Sequence, residues 1–197
     1  GGSVEYPGIA GGANWGSLAF DPSRRLIVLT QNHIGEAKTL IRREDMPPGP
    51  LPKRVSLQEG TPYLVRSDVL VSPFGVPCVP PPWGSLMAVS LDTGEKVWER
   101  PFGTTRDVIP FFPIGFDLGM PSMGGPIVTA SGLVFIGASM DDYLRAYDVE
   151  TGEELWRARL PAGGQATPMS FQTSEDGKQY LVVAAGGHGK IGTQLGD

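Results

Sequence analysis

Ala88-Val-Ser-Leu-Asp-Thr-Gly-Glu-Lys-Val-Trp98 and Ala146-Tyr-Asp-Val-Glu-Thr-Gly-Glu-Glu-Leu-Trp156 are two copies of one pattern, set 58 residues apart and identical at five of eleven positions. Each copy reads as a strand, a tight turn at Asp/Glu-Thr-Gly-Glu, and a second strand that ends in tryptophan. Gly94 and Gly152 stand where such a turn demands a positive φ. Upstream of the second copy, Pro126–Ala130 and Leu133–Gly137 flank Ser131-Gly132, a hairpin signal. With Tyr143–Tyr147 and Glu154–Arg159 they make four consecutive antiparallel strands, the content of one propeller blade.

Other hairpins surround this unit. Leu18–Phe20 pairs with Leu26–Thr30 around Asp21-Pro22, and Met169–Gln172 with Gln179–Ala184 around Glu175-Asp176-Gly177. Ala37–Glu44 alone hints at a helix, and its Leu40-Ile41 pair fits a strand equally well. The 28 glycines and 19 prolines form nearly a quarter of the 197 residues, scattered between apolar runs with no collagen period. That punctuation fits short strands and turns and excludes a helical bundle. A β-sandwich uses the same elements, but a 58-residue repeat anchored on one tryptophan favours a propeller. At that spacing the chain holds about three to three and a half blades, whereas a closed ring needs roughly four to eight. The chain opens Gly1-Gly2-Ser3 without Met and stops at Asp197 before a last blade is complete, so a piece of a larger ring is expected.

The remaining composition narrows the function. Sixteen Lys and Arg against 21 Asp and Glu give a net charge of −5, with no basic block, so nucleic acid is not expected as a partner. The single cysteine, Cys78, rules out an intrachain disulfide and any cysteine-clustered metal site. No apolar run approaches the ~18 residues of a membrane span, and no signal peptide opens the chain.

The repeat resembles the tryptophan-docking motif of quinoprotein dehydrogenases, Ala-x-x-x-Asp/Glu-Thr-Gly-Glu-x-x-Trp. Gly11-Gly12-Ala13-Asn14-Trp15 is similar to that family's Gly-Gly-x-Asn-Trp segment. Gly124–Phe135, with Asp141 and Tyr143-Leu-Arg-Ala146, resembles its blade near the carboxyl end. Gly60–Tyr63, Ser72–Cys78, Pro80–Gly84 and Gly186-Gly-His-Gly189 are most similar to the membrane-bound glucose dehydrogenases. The resemblance implies an all-β, eight-bladed propeller, with residues 1–197 forming the carboxyl-terminal quarter of a single dehydrogenase domain. It implies pyrroloquinoline quinone as cofactor and a divalent ion, Ca or Mg, whose ligands lie outside this chain. The catalytic aspartate and membrane helices would likewise lie upstream, leaving no catalytic residue here.

The implied activity is oxidation of glucose or another aldose at C1 to the lactone, on the periplasmic face of the bacterial inner membrane, with ubiquinone as electron acceptor. Within the family an upstream carboxylate takes the hydroxyl proton. A quinoprotein alcohol dehydrogenase and a non-enzymatic propeller scaffold of the outer-membrane assembly type are the alternatives.

For the cofactor, Asn14 can offer amide donors to the rim of a planar tricarboxylate while its glycine neighbours allow close backbone approach. On residues alone a turn-forming Asn beside a core Trp explains the pair as well; the resemblance favours a cofactor role for Asn14 and leaves Trp15 open. Asp141 matches a family aspartate near the cofactor end, whereas Asp142 reads as a solvated turn residue. His188, in a glycine-rich loop, suits sugar hydroxyls, and the resemblance links it to substrate binding. His33 reads as a surface or strand-end residue, Cys78 as half-buried, and Trp98 and Trp156 as blade-to-blade packing residues.

Overall fold

The computed structural model describes residues 1–8, 11–16, 18–108, 115–175, 177–189 and 191–196. Asp176 of the expected turn and the terminal Asp197 lie outside them. The described residues are all-β apart from one 3-10 turn, Arg43–Asp45.

The first blade is β2 (Leu18–Asp21), β3 (Leu26–Asn32), β7 (Gly84–Ser90) and β8 (Lys96–Pro101), paired antiparallel in that order. The second is β9 (Ile127–Val128), β10 (Leu133–Ile136), β11 (Tyr143–Asp148) and β12 (Glu154–Arg159). A hairpin of β13 (Met169–Gln172) and β14 (Gln179–Val182) follows. β9 is shorter than Pro126–Ala130 because Pro126 has no N–H to pair. Beyond it, Thr129 turns its hydroxyl onto the Leu133 backbone and closes the hairpin early.

Between β3 and β7 the chain leaves the blade. β4 (Glu36–Arg42), β5 (Val55–Leu57) and β6 (Tyr63–Val69) join β1 (Gly2–Glu5) in a separate sheet of order β1-β4-β6-β5. The Leu40-Ile41 ambiguity therefore resolves as strand. Counted as sheets, the described residues give the expected three to three and a half units. Counted as blades, two are complete, because residues 33–83 form an insertion.

The repeat aligns residue for residue. Ala88 pairs with Trp98 and Ala146 with Trp156, and both ladders shift register one residue later, at Ala88/Val89 and Ala146/Tyr147. Both turns close the same way. Gly94 N–H donates to Ser90 O and Gly152 N–H to Asp148 O, each at 2.9 Å, with φ of +72° and +69°. The Ser90 hydroxyl and the Asp148 carboxylate accept the next backbone N–H groups, the local bonding that makes these residues turn formers.

Alternation in β3 turns Leu26 and Val28 inward, where they meet Leu86, Ala88, Trp98 and Phe102 of their own blade and Val134, Ile136 and Val149 of the next. Trp98 is 7% exposed. Its indole Nε1–H donates to Val149 O at 2.8 Å, and its ring lies against Gly152, where a Cβ would sit 2.5 Å from Cε3. Arg24 reaches Glu150, and Arg100 reaches Thr151 O, on the same turn. Trp98 thus packs blade on blade as expected. Trp156 is 48% exposed. The sheet after it supplies only a first hairpin among the described residues, and the turn that receives Trp98 joins the third and fourth strands of a blade.

This seating predicts a coupling. Gly152→Ala in the intact protein should cost more than the about 1–2 kcal/mol of left-handed backbone strain, because its methyl group displaces the Trp98 ring. In a Trp98→Ala background the penalty should fall back to the strain alone, read as the shift in thermal midpoint. Equal penalties in both backgrounds would show that the ring is not seated on Gly152.

Candidate functional site

Antiparallel meanders sort their connections by end. The hairpins β2–β3, β7–β8, β9–β10 and β11–β12 lie at one end, including both docking turns. The other end carries the segments leading into β2, β9 and β13, the β3–β7 and β10–β11 connections, and the segment after β14. Asn14, Trp15, Asp141 and His188 all fall on this second end.

The segment before β2 is held by backbone. Asn32 N–H donates to Gly12 O at 3.1 Å, and Gly16 N–H donates to Met123 O of the next blade at 3.1 Å. Gly16 meets Gly124 so closely that a Cβ would lie 2.1 Å from the Gly124 carbonyl carbon, so only glycine serves there. Between these anchors Asn14 is half-buried, and its Oδ1 accepts Trp15 N–H at 2.7 Å. That orientation leaves the amide NH₂ without a partner among the described residues. Trp15 is 61% exposed, so it is not the core tryptophan that would have made Asn14 an ordinary turn residue. An unpartnered amide donor beside an open indole face suits a flat, anionic ring system.

Packing links this loop to His188. Gly124 lies against Gln165 O, with no room for a Cβ, and Gly163 of the same segment lies against the Thr193 side chain. Thr193 Oγ1 accepts His188 N–H at 2.6 Å. Of the two His188 ring nitrogens, Nδ1 is buried with no partner among the described residues. Nε2 is not buried in this way, so it is the ring nitrogen left open to a hydroxyl.

Two amides that the sequence reading did not single out staple these loops. Asn32 Nδ2 donates to Ser122 O and its Oδ1 accepts Ser122 N–H, both at 2.8 Å. Gln165 Nε2 donates to Ser139 O at 2.6 Å and its Oε1 accepts Met123 N–H at 3.3 Å. Asn32 lies two residues past the predicted strand Leu26–Thr30, at the end of the observed β3, and nothing in the sequence marks either residue as bridging two loops.

Asp141 is fully buried. Its oxygens accept from Arg145 Nη1 and Nη2 at 2.9 and 2.5 Å, and Oδ2 also accepts Thr104 N–H at 2.7 Å. Burial would lower the Arg145 guanidinium, but hydrogen bonds and the charge of Asp141 outweigh it and hold it above its usual range. Asp142 is buried rather than solvated: its N–H donates to Asp107 Oδ2 and its O accepts Leu160 N–H. Burial, then repulsion from Asp107, raises its carboxyl above the ordinary carboxylate range. Burial would raise Asp107 too, but Arg159 overrides it and draws it below.

The remaining expectations divide. His33 sits just past the end of β3, its Nε2 3.0 Å from Ser85 Oγ. Cys78 is exposed rather than half-buried, because its segment crosses the surface of the insertion. Among the described residues no group of three or more His, Cys, Asp or Glu could hold a metal ion, and no helix is long and apolar enough to cross a membrane.

The family model for the glucose/ethanol/alcohol dehydrogenase β-propeller domain of the pyrroloquinoline quinone class matches residues 1–181. The chain is 43% identical to the quinoprotein glucose dehydrogenase of Escherichia coli, covering 100% of this chain and 26% of the relative. It is 40% identical to quinoprotein glucose dehydrogenase A of Acinetobacter calcoaceticus, covering 100% and 25%. It is also 40% identical to the quinate/shikimate dehydrogenase (quinone) of Acinetobacter baylyi, covering 94% and 24%. Among solved structures, the quinohemoprotein alcohol dehydrogenase of Comamonas testosteroni superposes with a TM-score of 0.62 at 26% identity, over 94% of this chain and 24% of that one. This chain therefore spans about a quarter of the length of its curated relatives. An all-β chain with two tryptophan-repeat blades, matched by the family model over nearly its whole length, belongs to the pyrroloquinoline quinone-dependent dehydrogenase β-propeller family.

Proposed function

We propose that this chain is part of a quinoprotein glucose dehydrogenase, which oxidises an aldose at C1 to the lactone and passes the electrons to a quinone. The observation that carries the reading is the identity of 40–43% across the whole chain with quinoprotein glucose dehydrogenases. We place the whole enzyme on the periplasmic face of the inner membrane, with ubiquinone as acceptor and the catalytic carboxylate and divalent-metal ligands supplied by residues outside this chain. Residues 1–197 then belong to a single propeller domain.

When bound, pyrroloquinoline quinone supplies the two-electron acceptor. Asn14 donates its free amide N–H to a carboxylate or carbonyl at the rim of that ring. Trp15 offers a flat apolar face and helps to exclude water. Asp141, whose oxygens are taken by Arg145 and Thr104, acts on the site by fixing the Thr104–Thr105 backbone. His188 orients the sugar through Nε2, so that the C1 hydroxyl is presented to the base in a fixed pose.

A cyclic hydroxy acid is the second reading, since the quinate/shikimate dehydrogenase is as similar as one of the glucose enzymes. Turnover of glucose but not of quinate by the intact enzyme decides for the first, and the reverse for the second.

Two substitutions in the intact enzyme test the residue roles. Asn14→Ala should weaken cofactor reconstitution by about 0.5–1.5 kcal/mol, the worth of one neutral hydrogen bond, and by more if the acceptor is a buried carboxylate. An unchanged cofactor titration would remove Asn14 from the site. His188→Ala should raise the KM for glucose more than it lowers kcat, roughly tenfold per 1.4 kcal/mol of uniform binding lost. His188→Asn should recover part of that, because its amide still donates. Wild-type KM and sugar preference in the alanine variant would make His188 a bystander.

A further inference from the structure

We propose that Thr193 is a positioning residue for His188, and that its hydroxyl sets how the imidazole meets the substrate. The proposal rests on the reading of His188 as the substrate residue.

Thr193 is a polar side chain only 7% exposed, in a loop whose neighbours Ile191, Gln194 and Leu195 are more open. Its Oγ1 accepts His188 N–H at 2.6 Å, a short bond that fixes the backbone from which the imidazole departs. Its carbon atoms rest on Gly163, where a Cβ would sit 3.0 Å from Thr193 Cβ. Gly163 also fastens the near side of the loop, because its O accepts Gly187 N–H at 2.8 Å. The far side is tied by Gly196 N–H donating to Gly186 O at 3.1 Å. Gly187 itself, at φ +68°, passes so close to Gln194 O that a Cβ would lie at 1.9 Å.

The loop is therefore closed at its neck by backbone bonds and braced across its middle by one hydroxyl. The segment leading into β13 is the floor on which Thr193 stands. Without the hydroxyl, the His188 N–H loses its acceptor, and Gly189 on its open side, with nothing packed against it, gives the backbone freedom to rotate the ring. Isosteric Val keeps the packing on Gly163 and removes the hydroxyl with both its bonds to the His188 backbone, the one accepted from N–H and the longer one donated to O at 3.5 Å, which makes it the informative substitution.

The test is a set of variants of the intact, cofactor-loaded enzyme, with KM and kcat for glucose and a C2 epimer measured for each. Thr193→Val should raise KM about three- to tenfold with kcat within about twofold, and should narrow the preference between epimers. Thr193→Ser should restore the wild-type values. Thr193→Val combined with His188→Ala should be no worse than His188→Ala alone, because the hydroxyl acts only through the imidazole. Wild-type KM and epimer preference in Thr193→Val, or losses that add in the double variant, would overturn the proposal. If Thr193→Val does not fold, Thr193→Ala carries the same comparisons. Failure of the underlying reading shows separately, as a wild-type KM in His188→Ala itself.

Discussion

One contact governs the arrangement of the two blades: the Trp98 indole lying on the turn of the next blade, its N–H on Val149 O and its ring on Gly152. A buried indole must find an acceptor for its single donor, and the carbonyl of Val149, a residue held just past β11 by its own N–H on Gly132 O, provides one in a defined direction. The ring can seat only because residue 152 has no Cβ, and the same glycine supplies the positive φ that closes the turn. One residue type therefore meets two demands, and the turn sequence and the tryptophan have to be read together. At the opposite end the same pair of blades meets again, at Gly16 on Gly124, where backbone approaches backbone. Fixed at both ends and filled between by Leu26, Val28, Leu86, Val134 and Ile136, the two sheets have a single way to pack.

This arrangement separates stability from chemistry along the strands. The docking end is built from tight turns that bond to themselves. The other end is built from longer segments that would wander without restraint, and its restraints are polar and buried. Asn32 and Gln165 each accept and donate across two loops, and Asp141 with Arg145 holds Thr104 by its N–H. A buried ion pair adds little net stability over an apolar pair, but breaking it strands a charge, so it enforces one geometry. Such enforcement is what a site needs if Asn14, Trp15 and His188 are to keep fixed places on two different segments.

How much of this was legible in the sequence follows from the range of the interactions involved. The strand–turn–strand repeat, its glycines and the hairpins are local, and their pattern gave the strands and the all-β class directly. The insertion was not legible, because β3 pairs with β7 across residues 33–83 and periodicity identifies a strand without naming its partner. The resemblance brought out Asn14 and His188, whereas the open face of Trp15 is visible only in the structure. Asp142 was misread as solvated for the opposite reason: an Asp-Asp pair in a turn looks polar until the Asp107–Arg159 pair covers it. Thr193, Asn32 and Gln165 act between loops distant in sequence, and no spacing rule reports that.

The cofactor role proposed for this loop rests on Asn14 presenting an amide donor to an anionic planar ring. The most direct measurement is an absorbance titration of pyrroloquinoline quinone into the intact enzyme carrying Asn14→Asp. This isosteric change turns a donor into a negatively charged acceptor while keeping the Oδ1 bond to Trp15 N–H. If the account holds, the aspartate variant binds the cofactor more weakly than an alanine variant does, because a carboxylate then faces a carboxylate, and the difference shrinks at high salt. Cofactor affinity equal to wild type in the aspartate variant would contradict it.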